Sequence, residues 1–333
     1  MKALLLKRYG KSNTNGFADI PRPVLKPDEI LVEVHAAGLN PSDNMISTGA
    51  FKPIVPLRLP TIVGSDLAGV VVEVGNRVTR FKPGDAVFAS TFEKGMGALA
   101  EFAVVPENLA ASKPGNLSFI EAASIPMVGL TSWQALKERA NVQSGDKVFI
   151  PAGSGGIGTF AIQLAKHFGA IVGTTTSTSN VDFVRSLGAD EVVDYKKQHF
   201  EDLLNNYDHV LGTLKGDTIE KSLPLMKSGG NVVSLVGPPD PSFAQARGMN
   251  FLMKFVFGLL SWRIRRKANK HGVEYSFLFM RPDGEQLAEI CKLLETEQIR
   301  PVVDKVFPFD QAKEALAYLE KGHAKGKVVV QLR

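Results

Sequence analysis

The chain has 333 residues, 44% of them hydrophobic and 22% charged, an ordinary globular balance that excludes disordered, collagen-like and coiled-coil classes. At roughly 150 residues per domain, the length points to about two domains. A single cysteine, Cys291, excludes an internal disulfide and a four-cysteine zinc site. The formal net charge of +5, from 39 Lys+Arg against 34 Asp+Glu, is too mild to imply a nucleic-acid partner and suits a polyanionic small ligand.

In chain order, MKALLLKRYG opens with an apolar run that Lys7 and Arg8 end well short of a signal-peptide core; a cytoplasmic location is expected. Residues 1–122 read as β-rich. Ile30–Val34, Gly69–Val74 and Ala86–Phe88 are short apolar runs set off by turn signals at Pro27-Asp28, Gly75-Asn76 and Lys82-Pro83-Gly84-Asp85. Such spacing predicts a barrel-like β domain. Gly64–Gly69 (GSDLAG) is expected as a loop where backbone approaches something closely.

From residue 125 strands and helices alternate. Lys147–Pro151 is a strand, followed by a glycine-rich loop and a helix over Gly158–Phe168 that Gly169 closes. Ala170–Thr176 is the second strand, Val181–Leu187 a helix ended by Gly188, and Glu191–Asp194 the third strand. His209–Leu211, Asn231–Val236 and Val273–Phe279 fit the remaining strands, with a helix at Thr218–Met226 between two of them. This alternation predicts an α/β fold, a doubly wound parallel Rossmann sheet, over residues 123–280. Residues 281–333 carry helices at Gly284–Glu297 and Asp310–Lys321 and a strand at Lys327–Leu332, and are expected to return to the first domain.

One segment has two readings. Met249–Trp262 is apolar but for Lys254 and is followed by RIRRKANK. It falls short of the ~18 apolar residues needed to span a bilayer. It is either a buried or cleft-lining helix with a solvated basic end, or an interfacial amphipathic helix docking on anionic lipid through residues 249–270.

The strongest chemical signal is the loop Gly153-Ser154-Gly155-Gly156-Ile157-Gly158, a GxGxxG spacing between a strand and a helix. A pyrophosphate needs backbone N–H groups at close range, which side chains would prevent, and the helix N-terminus adds about half a positive charge. An NAD site usually carries Asp or Glu about 20 residues further on. Here that region reads Thr174-Thr175-Thr176-Ser177-Thr178-Ser179-Asn180 without a carboxylate. Hydroxyls and an amide can donate to a 2′-phosphate, and Arg185 and Lys196 could add positive charge, so NADPH is the expected cofactor. The six histidines are scattered and Cys291 lies in a C-terminal helix, so no metal site is expected.

These pieces together resemble a known family. Ala37–Asp43 (AGLNPSD), Gly64–Gly69, Gly84–Phe88 (GDAVF), Gly129–Trp133 (GLTSW), Gly145–Lys166, the stretch Leu187–Tyr195 and Gly322–Lys327 (GHAKGK) span nearly the full length. They resemble the medium-chain dehydrogenase/reductases, in the zinc-independent, zeta-crystallin-like quinone oxidoreductase branch. Zinc-bearing relatives place a Cys within the loop matched by Leu39–Asp43 and a His where Ser65 stands; this chain has neither. It departs from many quinone reductases at Met45, where they have a Tyr, and at Gly212, where an Asp is usual.

The resemblance implies a GroES-like catalytic domain joined to the Rossmann domain, with NADPH in the cleft between them and a homodimer paired through the last Rossmann strand. By position it places on the cofactor Asn40, Thr131, Ser154, Gly155, Gly156, Ile157, Gly158, Ser177, Thr178, Asn180, Tyr195, Leu214, Phe279 and Lys327. The implied reaction delivers hydride to a small electrophilic acceptor, a quinone or an α,β-unsaturated carbonyl. Asn40 and Ser65 are the candidate catalytic donors to the developing enolate oxygen, water can supply the proton, and segment 249–262 would wall the substrate pocket. A non-catalytic NADPH-binding protein that signals redox state to a partner is the alternative reading.

Overall fold

The computed structural model describes residues 1–10, 15–52 and 54–333. They divide into two compact units: Met1–Leu130 with Arg281–Arg333, and Thr131–Met280. The first break thus falls at 130, inside helix α3 (Pro126–Trp133), not at the expected 122, because the chain up to Ala123 packs on the strands of the first unit.

In chain order the first unit holds β1 (Lys2–Leu6), β2 (Asn15–Asp19), β3 (Glu29–Leu39), α1 (Pro41–Thr48), β4 (Thr61–Ile62), β5 (Asp66–Val74), β6 (Ala86–Ser90), β7 (Phe102–Pro106), β8 (Ala110–Ser112) and α2 (Phe119–Ala123). The second follows α3 with β9 (Lys147–Ile150), α4 (Gly156–His167), β10 (Ile171–Thr176), α5 (Val181–Ser186), β11 (Glu191–Asp194), β12 (Tyr207–Gly212), α6 (Thr218–Ser222), β13 (Met226–Ser234), α7 (Pro241–Ala246), α8 (Phe251–Lys270) and β14 (Glu274–Phe277). The chain then re-enters the first unit with α9 (Gly284–Glu295), β15 (Val303–Pro308), α10 (Ala312–Glu320) and β16 (Lys327–Gln331).

The first unit is built on β3. Its sequence EILVEVHAAGL is nearly continuously apolar because the strand is covered on both faces. It pairs antiparallel with β5, β7 and β16 in a sheet of order β15-β16-β3-β5-β6-β8, and a smaller sheet runs β2-β1-β4. The segment GSDLAG, expected as a loop, is mostly strand: β5 begins at Asp66, which pairs across to Gly38. At Gly38 itself a Cβ would stand 2.1 Å from the carbonyl oxygen of Ala123, at the end of α2.

The second unit is a six-stranded parallel sheet of order β11-β10-β9-β12-β13-β14, the doubly wound arrangement in which strand order reverses between β9 and β12. Its core gathers Phe149, Tyr207, Val210, Val232 and Ile264. The helix expected at Thr218–Met226 ends at Ser222. Pro224 sits in a short 3-10 turn over Leu223–Leu225, and Met226 already belongs to β13, paired with Tyr207. Proline lacks the N–H that a helix interior requires.

The contact at Gly38 is testable. Gly38→Ala is expected to lower unfolding stability by about 1–3 kcal/mol, the usual cost of overpacking, measured by urea denaturation. The neighbouring Ala37→Gly should not reproduce the steric effect.

Candidate active site

In the second unit the loop between β9 and α4 turns without room for side chains. A Cβ on Gly153 would fall 2.2 Å from Thr174 Oγ1, and one on Gly158 would fall 2.5 Å from the Ala152 carbonyl and 2.7 Å from the Gly153 Cα. Both glycines are therefore demanded by the protein's own strand–turn–helix contact. Gly155 is different. It stands at the N-cap of α4 in extended conformation, and a Cβ there would meet only the Ala152 carbonyl, at 3.4 Å. Gly155 and Gly156 thus leave the helix N-terminus, with its unpaired N–H groups, bare of side chains at the point where an anion is attracted.

The neighbouring polar rim is knitted together. Gly153 N–H donates to the Thr175 carbonyl (3.0 Å) and Ala152 N–H to Thr175 Oγ1 (3.1 Å). Ser154 Oγ accepts from Thr176 Oγ1 (3.1 Å) and from Asn180 Nδ2 (3.3 Å), and Asn180 Nδ2 also reaches Ser177 Oγ (3.2 Å). Ser154, Ser177 and Asn180 are thereby brought together, while the buried Asn180 Oδ1 has no partner. Thr178 behaves otherwise. Its hydroxyl donates to Asp194 Oδ2 at 2.7 Å, so its proton is committed and it cannot be the phosphate donor expected of it. Asp194, whose carboxyl that bond holds below the usual range, also takes the Lys196 N–H and lies 3.5 Å from Lys197 Nζ.

The other expected residues of this unit are more dispersed. Tyr195 is half exposed, with the Lys196 ammonium over its ring, and Leu214 is exposed. Phe279 stacks with Phe243 (5.9 Å between ring centroids) and Phe277 (6.4 Å), and Thr131 is buried in α3. Arg185, expected to add charge, is ion-paired to Asp182 at 3.7 Å.

Asn40, Ser65 and Lys327 all belong to the first unit, where the sheet order β16-β3-β5 brings three strand ends to one rim. Leu39 pairs with Val328 and Gly38 with Asp66. Asn40, just past β3, therefore meets Lys327 at the start of β16 and Asp66 at the start of β5. Asn40 Nδ2 donates to Asp66 Oδ2 (2.9 Å), and the Lys327 ammonium donates to Asn40 Oδ1 and lies 3.5 Å from Asp66 Oδ2. The Met127 N–H adds a third donor to Asp66 Oδ2 at 3.0 Å. Below them, Asp43 at the third position of α1 accepts the Asn40 backbone N–H (2.8 Å) and the Ser65 hydroxyl (3.4 Å).

This cluster is almost wholly out of water: Asp43, Ser65 and Asp66 are 0% exposed, Asn40 3% and Lys327 5%. Burial lowers the Lys327 ammonium pKa against the pull of Asp66 and Asp43, and raises that of Asp66 against Lys327 and Asn40. Burial pushes Asp43 up to about 7, the Asn40 N–H opposing it. Two corrections follow, for Ser65 as an expected catalytic donor and for Lys327 as an expected cofactor contact. Ser65 has no exposed surface and its hydroxyl is turned to Asp43, so it supports the Asn40 loop and does not reach a bound molecule. Lys327 is a buried counter-ion whose partners are Asn40 and Asp66. Asn40 itself retains one amide N–H after bonding Asp66.

Asp43, Asp66 and Asp194 were not singled out from sequence. Two of them carry a signal: Asp43 stands three residues after a helix-capping Asn, and Asp66 and Lys327 are opposite charges set in apolar strands. The donor set at this rim does not fit a zinc ion, since it holds neither thiolate nor imidazole and an ammonium already supplies positive charge. Among the described residues no group of three or more His, Cys, Asp and Glu converges as a metal site.

Two outcomes test the cluster. Removing one member of a buried ion pair strands the other, so Lys327→Met is expected to cost about 3–5 kcal/mol in urea unfolding, and the double change with Asp66→Leu distinctly less. Asp43 holds in the native state a proton that the unfolded carboxyl releases near its ordinary value, so its contribution is full at acid pH and lost as pH rises toward about 7. Asp43→Asn should flatten the fall in melting temperature over that interval; an unchanged slope would remove Asp43 as its source.

Comparison with known proteins agrees with this architecture. Residues 26–115 match the alcohol dehydrogenase GroES-like domain and residues 187–330 the zinc-binding dehydrogenase domain. The chain is 36% identical to the mitochondrial NAD(P)H oxidoreductase RTN4IP1 of Danio rerio, covering 100% of this chain and 91% of that protein. It is also 36% identical to the chloroplastic NADPH-dependent alkenal/one oxidoreductase of Arabidopsis thaliana, over 99% of this chain and 79% of that one. Among solved structures, the quinone oxidoreductase of Coxiella burnetii superposes with a TM-score of 0.86 at 30% identity, covering 100% of this chain and 99% of that one. The chain belongs to the medium-chain dehydrogenase/reductases, in their zeta-crystallin-like quinone oxidoreductase branch.

Proposed function

We propose that this protein is an NADPH-dependent reductase that delivers hydride to quinones or α,β-unsaturated carbonyls without the help of zinc. The observation that carries the reading is the side-chain-free head of α4 beside a rim of Ser154, Ser177 and Asn180 held within hydrogen-bond distance of one another. The names of the similar proteins, an alkenal/one oxidoreductase and a quinone oxidoreductase, point to the same substrate class. When bound, the reduced dinucleotide supplies the hydride.

The chain's own residues do the rest. The N–H groups of the first turn of α4, at Gly156 and Ile157, take the pyrophosphate, and Ser177, whose Oγ accepts from Asn180, offers its own hydroxyl proton to a 2′-phosphate. In the first unit Asn40 is oriented by two constraints that cannot be exchanged. Its carbonyl must face the ammonium of Lys327 and its amide must face the carboxylate of Asp66. The remaining N–H is then fixed in direction, and it is the donor assigned to the oxygen on which negative charge develops as hydride adds at the β-carbon. The enolate takes its proton at carbon from water, which balances the two-electron reduction.

The purified protein is expected to oxidise NADPH in a panel of quinones, enals, enones, nitroalkenes and haloacrylates, and to prefer NADPH over NADH. Absence of a melting shift with NADPH would end the proposal. Gly156→Leu should weaken NADPH at least ten-fold with the circular dichroism unchanged. Asn40→Ala should lower kcat by about 10²-fold while leaving the affinity for NADPH intact.

We also assign a homodimer joined along β14, the terminal strand of the parallel sheet. Light scattering should give about twice the chain mass of 36.0 kDa.

A further inference from the structure

Helix α8 takes no part in the glycine loop or in the Lys327 cluster, and its outer face is unusual. At about 3.6 residues per turn, the buried side chains Phe257, Ser261, Ile264 and Ala268 form one stripe, turned toward α6, α7 and β14. The opposite side carries Phe251, Leu252, Phe255, Leu259 and Trp262, all more than half exposed, with Phe251 at 82% and Leu252 at 64%. The buried-helix reading therefore holds only for the inner stripe. Past Trp262 the same outer side turns basic through Arg263, Arg266 and Lys270, and the Arg266 guanidinium lies 5.1 Å over the Trp262 ring. The helix carries six Lys and Arg side chains and no Asp or Glu.

We propose that α8 docks this protein on an anionic lipid bilayer, with the Phe251–Trp262 face in the acyl boundary and the arginines at the phosphates. Three observations converge. Apolar side chains are exposed over about three turns, where water gains nothing from them. A tryptophan marks the junction with the basic end, the place where an amphipathic ring sits at a headgroup layer. The cations lie on the same side as the apolar residues, so one surface must offer both hydrocarbon and negative charge, as an anionic bilayer does.

A second copy of the chain fits this face poorly. Two α8 helices paired in parallel would oppose arginines to arginines, and paired antiparallel would bury arginines against phenylalanines. Neither arrangement supplies a carboxylate from the helix. No helix among the described residues is long and apolar enough to cross a membrane, so α8 lies on the bilayer.

The test uses the full-length protein and sedimented vesicles of phosphatidylcholine with or without phosphatidylglycerol. Binding is expected to the anionic vesicles, to weaken in high salt, and to fall at least about ten-fold in the triple variant Arg263→Gln, Arg266→Gln, Lys270→Gln. Brominated acyl chains should quench the fluorescence of Trp262, and Trp262→Phe should remove that quenching while Trp133 stays dark to the lipid. Equal sedimentation with both vesicle types, or an unaltered affinity in the triple variant, overturns the proposal. So does a Phe255→Asp, Leu259→Asp variant that halves the solution mass yet still binds vesicles, because the face then belongs to a second copy. NADPH turnover with a water-soluble quinone, followed in parallel, is expected to be unchanged in the triple variant. Because vesicle binding needs no turnover, failure of the reductase reading and failure of docking are separate results.

Discussion

A helix can begin hard against the end of a parallel strand only if the turn between them is stripped of side chains. In this protein that constraint falls on Gly153 and Gly158, whose Cβ positions are already filled by Thr174 and by the loop's own backbone. Because those two glycines serve the fold, the two between them are released to serve a ligand. The bare N-terminus of α4 is thus a by-product of packing β9, β10 and α4 closely, and the dinucleotide reading rests on it. The hydrogen bonds from Thr176 and Asn180 to Ser154 extend the same turn sideways to the end of β10.

The first unit solves a different problem. A lysine and an aspartate are buried at the ends of apolar strands, where an isolated charge would be strongly disfavoured. Each is acceptable because the other is within ion-pair distance and Asn40 and the Met127 N–H add donors to the same carboxylate oxygen, Asp66 Oδ2. What the arrangement gains is less stability than direction. A buried ion pair is a weak source of net folding energy, but it holds the Asn40 amide in one orientation. In this protein the Ser65 side chain braces the loop that carries Asn40, through Asp43.

Helix α8 shows the same separation of duties along one element. Its buried stripe fixes it to the second unit, Phe257 against Phe243 and Ile264 in the core beneath the sheet. The outer side is then released from folding, and its composition is neither that of a solvated face nor that of a core. Unexplained apolar exposure next to uncompensated charge is a cost that a chain bears only when another surface removes it.

The residues alone determined the parts of this protein that depend on short-range pattern. The strand–glycine loop–helix order, the carboxylate-free stretch Thr174–Asn180 and the resemblance that runs from Ala37 to Lys327 are all contiguous, so each could be read where it stands. Local rules failed where a local competitor was overlooked, as at Pro224, which stops α6 early. Tertiary structure alone decided which groups are buried and which are paired. Asn40 meets Asp66 26 residues away and Lys327 287 residues away, distances over which no periodicity carries information. In the same unit Asp43 turned Ser65 from an expected donor into a buried brace, and in the second unit the pairing of β10 with β11 committed Thr178 to Asp194. The outward turn of α8 was hidden for a related reason. Its first half is apolar nearly all round, so hydrophobic spacing could not say which side the sheet would take, and only the placement of β14 and α7 chose it.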